Sequence, residues 1–359
     1  MKALVLSGGT GTRLRPFTYT GAKQLLPVAN KPVLYYALES IREAGITDLG
    51  LVVGETRQEV MAAVGDGSQW GIRVTYIEQE APLGLAHAVK VARPYLGEEP
   101  FLMFLGDNLL RERLRDPANR FSRALARGKG PSALVLLGRV PDPQRFGVAE
   151  VQNDRVIRLV EKPRVPPSDL ALVGVYLFDH HIHRAVEDIK PSWRGELEIT
   201  DAIQWLIDRG LAVEYHLVTG WWKDIGRPED LLEANRLMLG ELKPGVKGEV
   251  DGSSRLEGRV RVERGARIIS SLVRGPAVIG EGSLVVHSYV GPFSSLGPGA
   301  MLRGSEIENS VVLAEAVIAD VEGRIEGSII GRGAVLERKG GFPRTLRVVV
   351  GDRSHLCLA

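Results

Sequence analysis

The sequence predicts an α/β domain with a doubly wound, Rossmann-like sheet, followed by a parallel β-helix. Three observations lead to this fold class. Apolar strands alternate with helical patterns over residues 1 to about 240, and a glycine-rich loop follows the first strand directly. Beyond residue 245, aliphatic residues recur at six-residue intervals, often followed by Gly-x-Gly.

The alternating region begins with short apolar runs that predict buried strands. These runs are Ala3–Leu6, Leu49–Val53, Val74–Ile77, Phe101–Leu105, Ala133–Leu137 and Ala171–Phe178. Helical spacing lies between them, at 32–44 and 84–93, and a last helix is expected from about Arg227 to Leu239. The alternation predicts a mostly parallel sheet, in which ligands bind at the carboxyl ends of the strands.

A segment at 240–245 reads as a linker, so we expect one domain at 1–240 and a second at 246–359. The six-residue period with turn glycines is typical of a solenoid of short parallel strands and resembles the left-handed hexapeptide β-helix. We expect four to five coils, with imperfect rungs near 286–289, 303–311 and 319–329, and one more strand at 344–350.

Composition limits the functions to consider. The formal net charge is +2 and no dense basic cluster occurs, which argues against nucleic-acid binding. No apolar run is long enough for a signal peptide or a membrane helix. The one cysteine, Cys357, excludes an intrachain disulfide and fits a reducing cytoplasm.

The glycine loop carries the strongest functional signal. Gly8-Gly9-Thr10-Gly11-Thr12 is followed by Arg13, and Lys23 lies ten residues further on. Glycines let backbone N–H groups approach a phosphate, and the two cations can neutralise it. Leu14 stands where a dinucleotide fingerprint needs its third glycine, and no P-loop Gly-Lys-Ser/Thr is present. The loop therefore predicts a nucleoside triphosphate site.

Two aspartates are candidate metal ligands. Asp107 follows a buried strand, and Asp224 lies in a Trp-Trp-Lys-Asp-Ile-Gly segment. One or two carboxylates together with substrate phosphates are the usual ligands of Mg²⁺. Each aspartate alone would be read as a turn or a cap, but both together with the glycine loop favour a metal site.

Other polar residues have competing interpretations. Gln79 ends a strand, and its amide suits the edge of a pyrimidine. Glu161 and Lys162 form an acid–base pair that could also be an exposed strand end. His180 and His183 could share a helix face and bind a metal, but an N-cap role for Asp179 is the simpler interpretation.

The run Gly8–Leu14, Lys23–Val28 and Lys31-Pro32 resembles the sugar-1-phosphate nucleotidyltransferases, and within them the glucose-1-phosphate thymidylyltransferases with a C-terminal β-helix. The segments Val160–Pro163 and Trp193–Asp201 extend the resemblance over about the first 240 residues. It implies catalytic roles for Arg13 and Lys23 and Mg²⁺ ligation by Asp107 and Asp224. The implied nucleotide-binding residues are Leu6, Gly8, Gly9, Gly11, Thr12, Gln24, Gln79, Pro82 and Gly84. The implied sugar-phosphate residues are Gly147, Glu161, Lys162, Val173, Gly174, Arg194 and Trp222.

The resemblance implies that dTTP and α-D-glucose 1-phosphate give dTDP-glucose and pyrophosphate, in a Mg²⁺-dependent in-line transfer by a cytoplasmic homo-oligomer. Three alternatives stay open. UTP or another hexose 1-phosphate could be the substrate, because only a methyl group separates thymine from uracil. The β-helix could carry an acyltransferase with His287 as base, or the chain could be a sensor that has lost catalysis.

Overall fold

A computed structural model describes residues 1–338, which fall into two compact units, Met1–Glu241 and a second that begins at Leu242. The strands of the first unit are β1 (Lys2–Ser7), β2 (Pro27–Val28), β3 (Lys31–Pro32), β4 (Asp48–Val53), β5 (Arg73–Glu78), β6 (Phe101–Leu105), β7 (Asn108–Leu110), β8 (Ala133–Arg139), β9 (Gly147–Gln152), β10 (Arg155–Glu161), β11 (Leu170–Phe178), β12 (Val213–Leu217) and β13 (Trp222–Asp224). Its α-helices are α1 (Val33–Glu43), α2 (Arg57–Val64), α3 (Leu85–Val91), α4 (Arg93–Leu96), α5 (Arg115–Ala126), α6 (His181–Asp188), α7 (Ile199–Asp208) and α8 (Pro228–Gly240). Short 3-10 turns lie at Thr12–Leu14, Lys23–Leu25, Ser68–Trp70 and Pro143–Arg145.

The main sheet has nine strands in the order β5-β4-β1-β6-β11-β8-β12-β10-β9. Alternate residues of one strand enter different apolar clusters: Leu4 and Leu6 of β1 belong to one, and Ala3 and Val5 to the other. Because successive side chains point to opposite faces, both faces of the sheet are covered. The doubly wound α/β prediction is confirmed.

The expectation of a mostly parallel sheet holds for seven of the nine strands, which run in one direction, whereas β10 and β11 run the opposite way. Strands β5, β4, β1 and β6 are parallel, but β11 runs antiparallel to both of its neighbours, and β9 and β10 form an antiparallel hairpin. Asn153 and Asp154 join the hairpin with φ of 50° and 60°. Asn and Asp in this left-handed conformation are typical of a two-residue hairpin turn. A search for apolar runs does not detect such a turn.

The second unit is a left-handed parallel β-helix, as the repeat predicts. Its strands are β14 (Gly245–Val246), β15 (Glu249–Val250), β16 (Arg255–Glu257), β17 (Val260–Val262), β18 (Arg267–Ile269), β19 (Leu272–Arg274), β20 (Ala277–Ile279), β21 (Leu284–Val286), β22 (Tyr289–Val290), β23 (Ser294–Leu296), β24 (Met301–Arg303), β25 (Glu306–Glu308), β26 (Val311–Val312), β27 (Val317–Ala319), β28 (Arg324–Glu326), β29 (Ile329–Ile330) and β30 (Val335–Glu337). They form three parallel sheets of six, six and five strands, so the described residues make five full coils and two strands of a sixth.

The predicted imperfect rungs are not interruptions. Strand β22 begins at the end of the first segment, and β25 and β28 lie within the other two; the three strands form one face of the solenoid with β16 and β19. The buried residues Ile279, Val285 and Val290 show why the pattern seemed to break. In three coils the step onto the third face is five residues instead of six, and from Ile318 to Ile325 it is seven, so a strict six-residue period loses the register there. The predicted strand at 344–350 and Cys357 lie outside the described residues.

A column of serines follows one corner of the solenoid, at Ser254, Ser271, Ser288 and Ser305. The backbone N–H of each of the last three donates to the hydroxyl of the serine in the coil before, 17 residues earlier, at 3.0 to 3.3 Å. The column ends where Val321 N–H donates to Ser305 Oγ at 3.0 Å. These hydroxyls satisfy backbone groups at a corner that the strand ladders leave unpaired.

No helix in residues 1–338 combines the length and the apolar content needed to cross a bilayer.

Candidate active site

A cleft of about 590 Å³ opens at the carboxyl ends of β1 and β6 in the first unit. It is lined by all but one of the residues to which the family resemblance gives a site role: Leu6, Gly8, Gly9, Gly11, Thr12, Arg13, Lys23, Gln24, Gln79, Pro82, Gly84, Asp107, Gly147, Glu161, Lys162, Gly174, Arg194, Trp222 and Asp224. Residues separated by more than 200 positions therefore meet in one place. Ligand binding at this edge is the rule for such sheets.

Val173 does not line the cleft. Its side chain is fully buried in the apolar cluster on the opposite face of the sheet from Leu172 and Tyr176, both of which line the cleft. Gly174, with φ of 78°, faces the cleft in its place. The alternation of side chains along β11 explains why two neighbouring residues cannot both face the cleft.

The glycine loop packs directly against Lys23. A Cβ at Gly9 would lie 2.8 Å from Lys23 Cε, and one at Gly11 would lie 3.0 Å from Lys23 Cβ. Gly11 has a left-handed backbone (φ 64°), and its carbonyl accepts a 2.7 Å hydrogen bond from Thr18 Oγ1. The left-handed backbone favours glycine at Gly11, and a side chain at Gly9 would have to displace the end of the Lys23 side chain.

Asp107 and Asp224 are brought together by backbone pairing. Strands β7 and β13 form a small antiparallel sheet in which Asp224 pairs with Asn108, and Ile225 N–H donates to the carbonyl of Asp107 at 3.1 Å. The Lys23 ammonium forms an ion pair with Asp107 Oδ2, while Asn108 Nδ2 donates to Asp107 Oδ1 at 3.0 Å. A distant strand pair thereby places both carboxylates beside the glycine loop.

Burial and neighbouring charges shift the pKa values of Asp224 and Lys23. Desolvation, followed by the charge of Asp107, raises the pKa of Asp224 to about 6. Burial opposes the charge of Lys23, but the attraction of Asp107 outweighs it and raises the pKa of Lys23. Asp107 and Asp224 are close together, and burial destabilises the charged form of Asp224. A bound divalent cation would relieve the repulsion between the two carboxylates. The donor set fits a hard metal ion.

A second polar cluster lies on the other wall of the cleft. Glu161 Oε1 is 3.3 Å from Lys162 Nζ and 3.6 Å from Arg194 Nη1, and Thr200 Oγ1 donates to Glu161 Oε2 at 3.3 Å. Arg194 also pairs with Glu196 at 2.8 Å and with Glu198 at 3.3 Å. Carboxylates thus hold Lys162 and Arg194 in positions where both can bind a phosphate. Glu161 can in addition accept hydrogen bonds from ligand hydroxyl groups.

Gln79 and Gln24 supply neutral polar groups. Gln79 is only 8% exposed, and its Nε2 donates to the carbonyl of Gly84 at 3.2 Å. Gln24 is 1% exposed, and its Oε1 has no hydrogen-bond partner in residues 1–338. An orphaned buried oxygen in a cleft wall is a group that a ligand or a water would satisfy.

Several lining residues were missed by sequence reasoning. Asn108 orients Asp107 and accepts a 2.6 Å hydrogen bond from Trp222 Nε1, although its position directly after Asp107 was a usable signal. Arg145, whose guanidinium forms a 2.7 Å ion pair with Asp142, has no neighbouring motif in the sequence that would mark it as a site residue. The other missed residues are Thr10, Leu14, Leu85, Leu105, Phe146, Leu172, Tyr176, Glu196, Glu198, Ile199, Gly226 and Arg227.

The histidines singled out earlier lie elsewhere. His183 is buried in the core and stacks on Phe101, so it cannot share a metal with His180. Asp179 Oδ1 accepts the backbone N–H of His181 at 2.9 Å, but the N-cap position of α6 is His180, one residue after the predicted Asp179. His287 is exposed at a corner of the β-helix.

Comparison with known proteins gives a consistent result over both units. Residues 2–241 match the family model described as nucleotidyl transferase. The chain is 54% identical over 356 residues, 99% of each sequence, to the glucose-1-phosphate thymidylyltransferase of Streptomyces griseus. It is 47% identical over 363 residues, covering 100% of both chains, to the low-salt glycan biosynthesis nucleotidyltransferase Agl11 of Haloferax volcanii.

A solved structure matches the first unit. A crystal structure from Bacillus anthracis, named as a glucose-1-phosphate thymidylyltransferase and holding sucrose, superposes with a TM-score of 0.61 at 37% identity. The match covers 66% of this chain and 94% of that one.

Proposed function

The chain belongs to the nucleotidyl transferase family, and from this premise we propose that it transfers a thymidylyl group from dTTP to α-D-glucose 1-phosphate, releasing pyrophosphate. The observation that carries the proposal is the meeting of the glycine loop, the Lys23–Asp107 ion pair and Asp224 in one cleft. The full-length identity to a named glucose-1-phosphate thymidylyltransferase supports the choice of nucleotide and sugar.

Positioning and charge neutralisation are the catalytic tasks in such a transfer, because no covalent enzyme intermediate is needed. Lys162 and Arg194 hold the sugar phosphate so that one of its oxygens faces the α-phosphorus in line. Arg13 and Lys23 bind the triphosphate and stabilise the charge that grows on the departing pyrophosphate. Gln79 binds the base, and Glu161 accepts from sugar hydroxyls.

Mg²⁺ is the proposed metal, with Asp107 and Asp224 as its protein ligands. When bound, it neutralises phosphate charge and orients the reacting oxygens. The Lys23 ammonium forms an ion pair with Asp107 Oδ2. We expect it to leave this carboxylate and bind a phosphate when the substrate enters. Self-association and a cytoplasmic location remain predictions from the sequence.

The proposal is tested by pyrophosphate release from the full chain with Mg²⁺ and glucose 1-phosphate, comparing dTTP, UTP, ATP, CTP and GTP. We expect dTTP to lead. Equal use of UTP would make the enzyme a general pyrimidine nucleotidyltransferase, activity only with another hexose 1-phosphate would change the sugar, and inactivity with every pair would reject the proposal.

Site variants test the assigned roles. Lys23→Ala and Asp107→Asn should each lower kcat by about 10²- to 10³-fold, the range for removing one preorganised charge-stabilising group. The exposed Lys129→Ala and Asp116→Asn are matched controls that should keep full activity. Wild-type turnover in either site variant would remove that residue from the mechanism.

A further inference from the structure

Both N–H groups of the Gln79 side chain are engaged inside the protein. Nε2 donates to the carbonyl of Gly84 at 3.2 Å and lies 3.0 Å from His87 Nδ1. The main chain of Gln79 is fixed too, since its N–H donates to the carbonyl of Val53 at 2.9 Å. The side-chain amide is therefore held at two points, and the main chain at a third, before any substrate arrives.

The chemistry of the partners determines which way the amide points. The Gly84 carbonyl can only accept, and it also accepts from Ala88 N–H at 3.3 Å as part of the first turn of α3. A reversed amide would bring Gln79 Oε1 against this carbonyl oxygen. The nitrogen must therefore face Gly84 and His87, and Oε1 must face away from them.

The free oxygen lies beside the glycine loop. A Cβ built on Gly8 would be 3.2 Å from Gln79 Oε1, and both residues line the cleft. The cleft thus offers a hydrogen-bond acceptor at this point, and a ligand must bring a donor to meet it.

His87 stands behind Gln79 and is not among the residues that line the cleft. For its Nδ1 to accept from Gln79, the ring must be neutral with its proton on Nε2. Burial, helped by the positive charge of Lys90, lowers the pKa of His87 and so favours this neutral form.

We propose that His87 is a positioning residue for base recognition, which fixes the Gln79 amide so that its oxygen selects bases with a donating ring N–H. This inference rests on the proposed function. Thymine and uracil present such a donor at N3, whereas N3 of cytosine accepts a hydrogen bond and would oppose Oε1. Discrimination against cytosine is thus set partly by a residue that does not touch the nucleotide.

The test compares two variants of the full chain, His87→Leu and His87→Asn. Leucine removes the acceptor, whereas the Asn oxygen can replace Nδ1 at a similar distance from Cβ. We expect His87→Leu to lower the dTTP-to-CTP ratio of kcat/KM by about fivefold to tenfold, the effect of one neutral hydrogen bond, by raising KM for dTTP. KM for glucose 1-phosphate should stay unchanged, and His87→Asn should restore the ratio.

His180→Leu, at an exposed position on another segment, is the matched control and should leave the ratio as in the unmodified protein. An unchanged ratio in His87→Leu would overturn the inference, and so would a His87→Asn variant as impaired as His87→Leu, because packing and not the acceptor would then be responsible. An unmodified protein that uses no nucleotide would reject the proposed function itself, and the inference with it.

Discussion

His183 is the least expected residue in the core of the first unit. Its side chain is 1% exposed, it stacks on Phe101, and neither ring nitrogen has a hydrogen-bond partner in residues 1–338. Desolvation, with the nearby charge of Arg93, lowers the pKa of His183 below its ordinary value. The native state therefore needs this imidazole neutral.

This burial predicts acid sensitivity. Below a pH of about 6.5 the unfolded chain takes up a proton at His183 that the native state resists, so stability is lost as the pH falls through this region. His183→Leu should make the fall shallower, by up to about 1.4 kcal/mol per pH unit, while His87 keeps part of the slope. Thermal unfolding between pH 5 and 7.5 measures the change.

The exposed His287→Asn is the control for this prediction, because asparagine tolerates the left-handed backbone at that corner, where φ is 48°. Its stability should follow the same pH dependence as the unmodified protein. An identical slope in His183→Leu would show that the imidazole is not the group being titrated.

The strands and helices differ in how far the sequence could predict them. Buried strands such as β6 and β8 were found from apolar runs alone, because they lie in the middle of a sheet covered on both faces. The hairpin of β9 and β10 was missed because charged residues such as the half-buried Glu150 and the exposed Arg158 interrupt its apolar pattern. In the β-helix, the six-residue period broke at several steps onto the third face, so parts of that face were expected to be imperfect rungs.

The cleft shows a similar division between chemistry and geometry. Glycines, cations and carboxylates of the types that can bind phosphate or metal were recognisable by their identity and spacing. Two features could not be recognised in this way. The orientation of Val173 depends on strand register, and the partly buried contact of His87 with Gln79 depends on helix packing; no local sequence pattern encodes either.

The serine column is expected to stabilise the β-helix coil by coil. Ser288 Oγ donates to the carbonyl of Val286 at 2.7 Å and accepts from Ser305 N–H at 3.3 Å. In Ser288→Ala the buried N–H of Ser305 loses its acceptor, at a cost of about 1 to 3 kcal/mol. Amide hydrogen exchange should become faster at Ser305 and its neighbours.

Ser253→Ala is the matched change, since Ser253 is exposed and water can replace its hydroxyl contacts. Exchange in this control should stay close to that of the unmodified protein. Undiminished protection at Ser305 in Ser288→Ala would mean that the strand ladders alone hold the corner.

At the scale of the whole molecule, every residue that lines the cleft lies between Leu6 and Arg227, inside the first unit. The family match is likewise confined to residues 2–241. A chain that stops at Glu241 should therefore keep nucleotidyl transfer, with kcat/KM within about tenfold of the full chain, as measured by pyrophosphate release. Loss of activity in a truncated chain that circular dichroism shows to be folded would give the β-helix a part in catalysis.

The stacking of the second unit has a consequence for how such a domain can change in length. Each coil pairs only with the coil before and the coil after it, and equivalent serines recur every 17 residues. A duplication or deletion of one whole coil would keep every inward residue inward, whereas one extra residue within a strand would turn its apolar side chain outward. The domain is thus modular: whole coils can be added or removed without disturbing the core, whereas smaller changes in length must fall in the turns, where the spacing between paired coils already varies from 16 residues (Leu302 to Ile318) to 18 (Ile307 to Ile325).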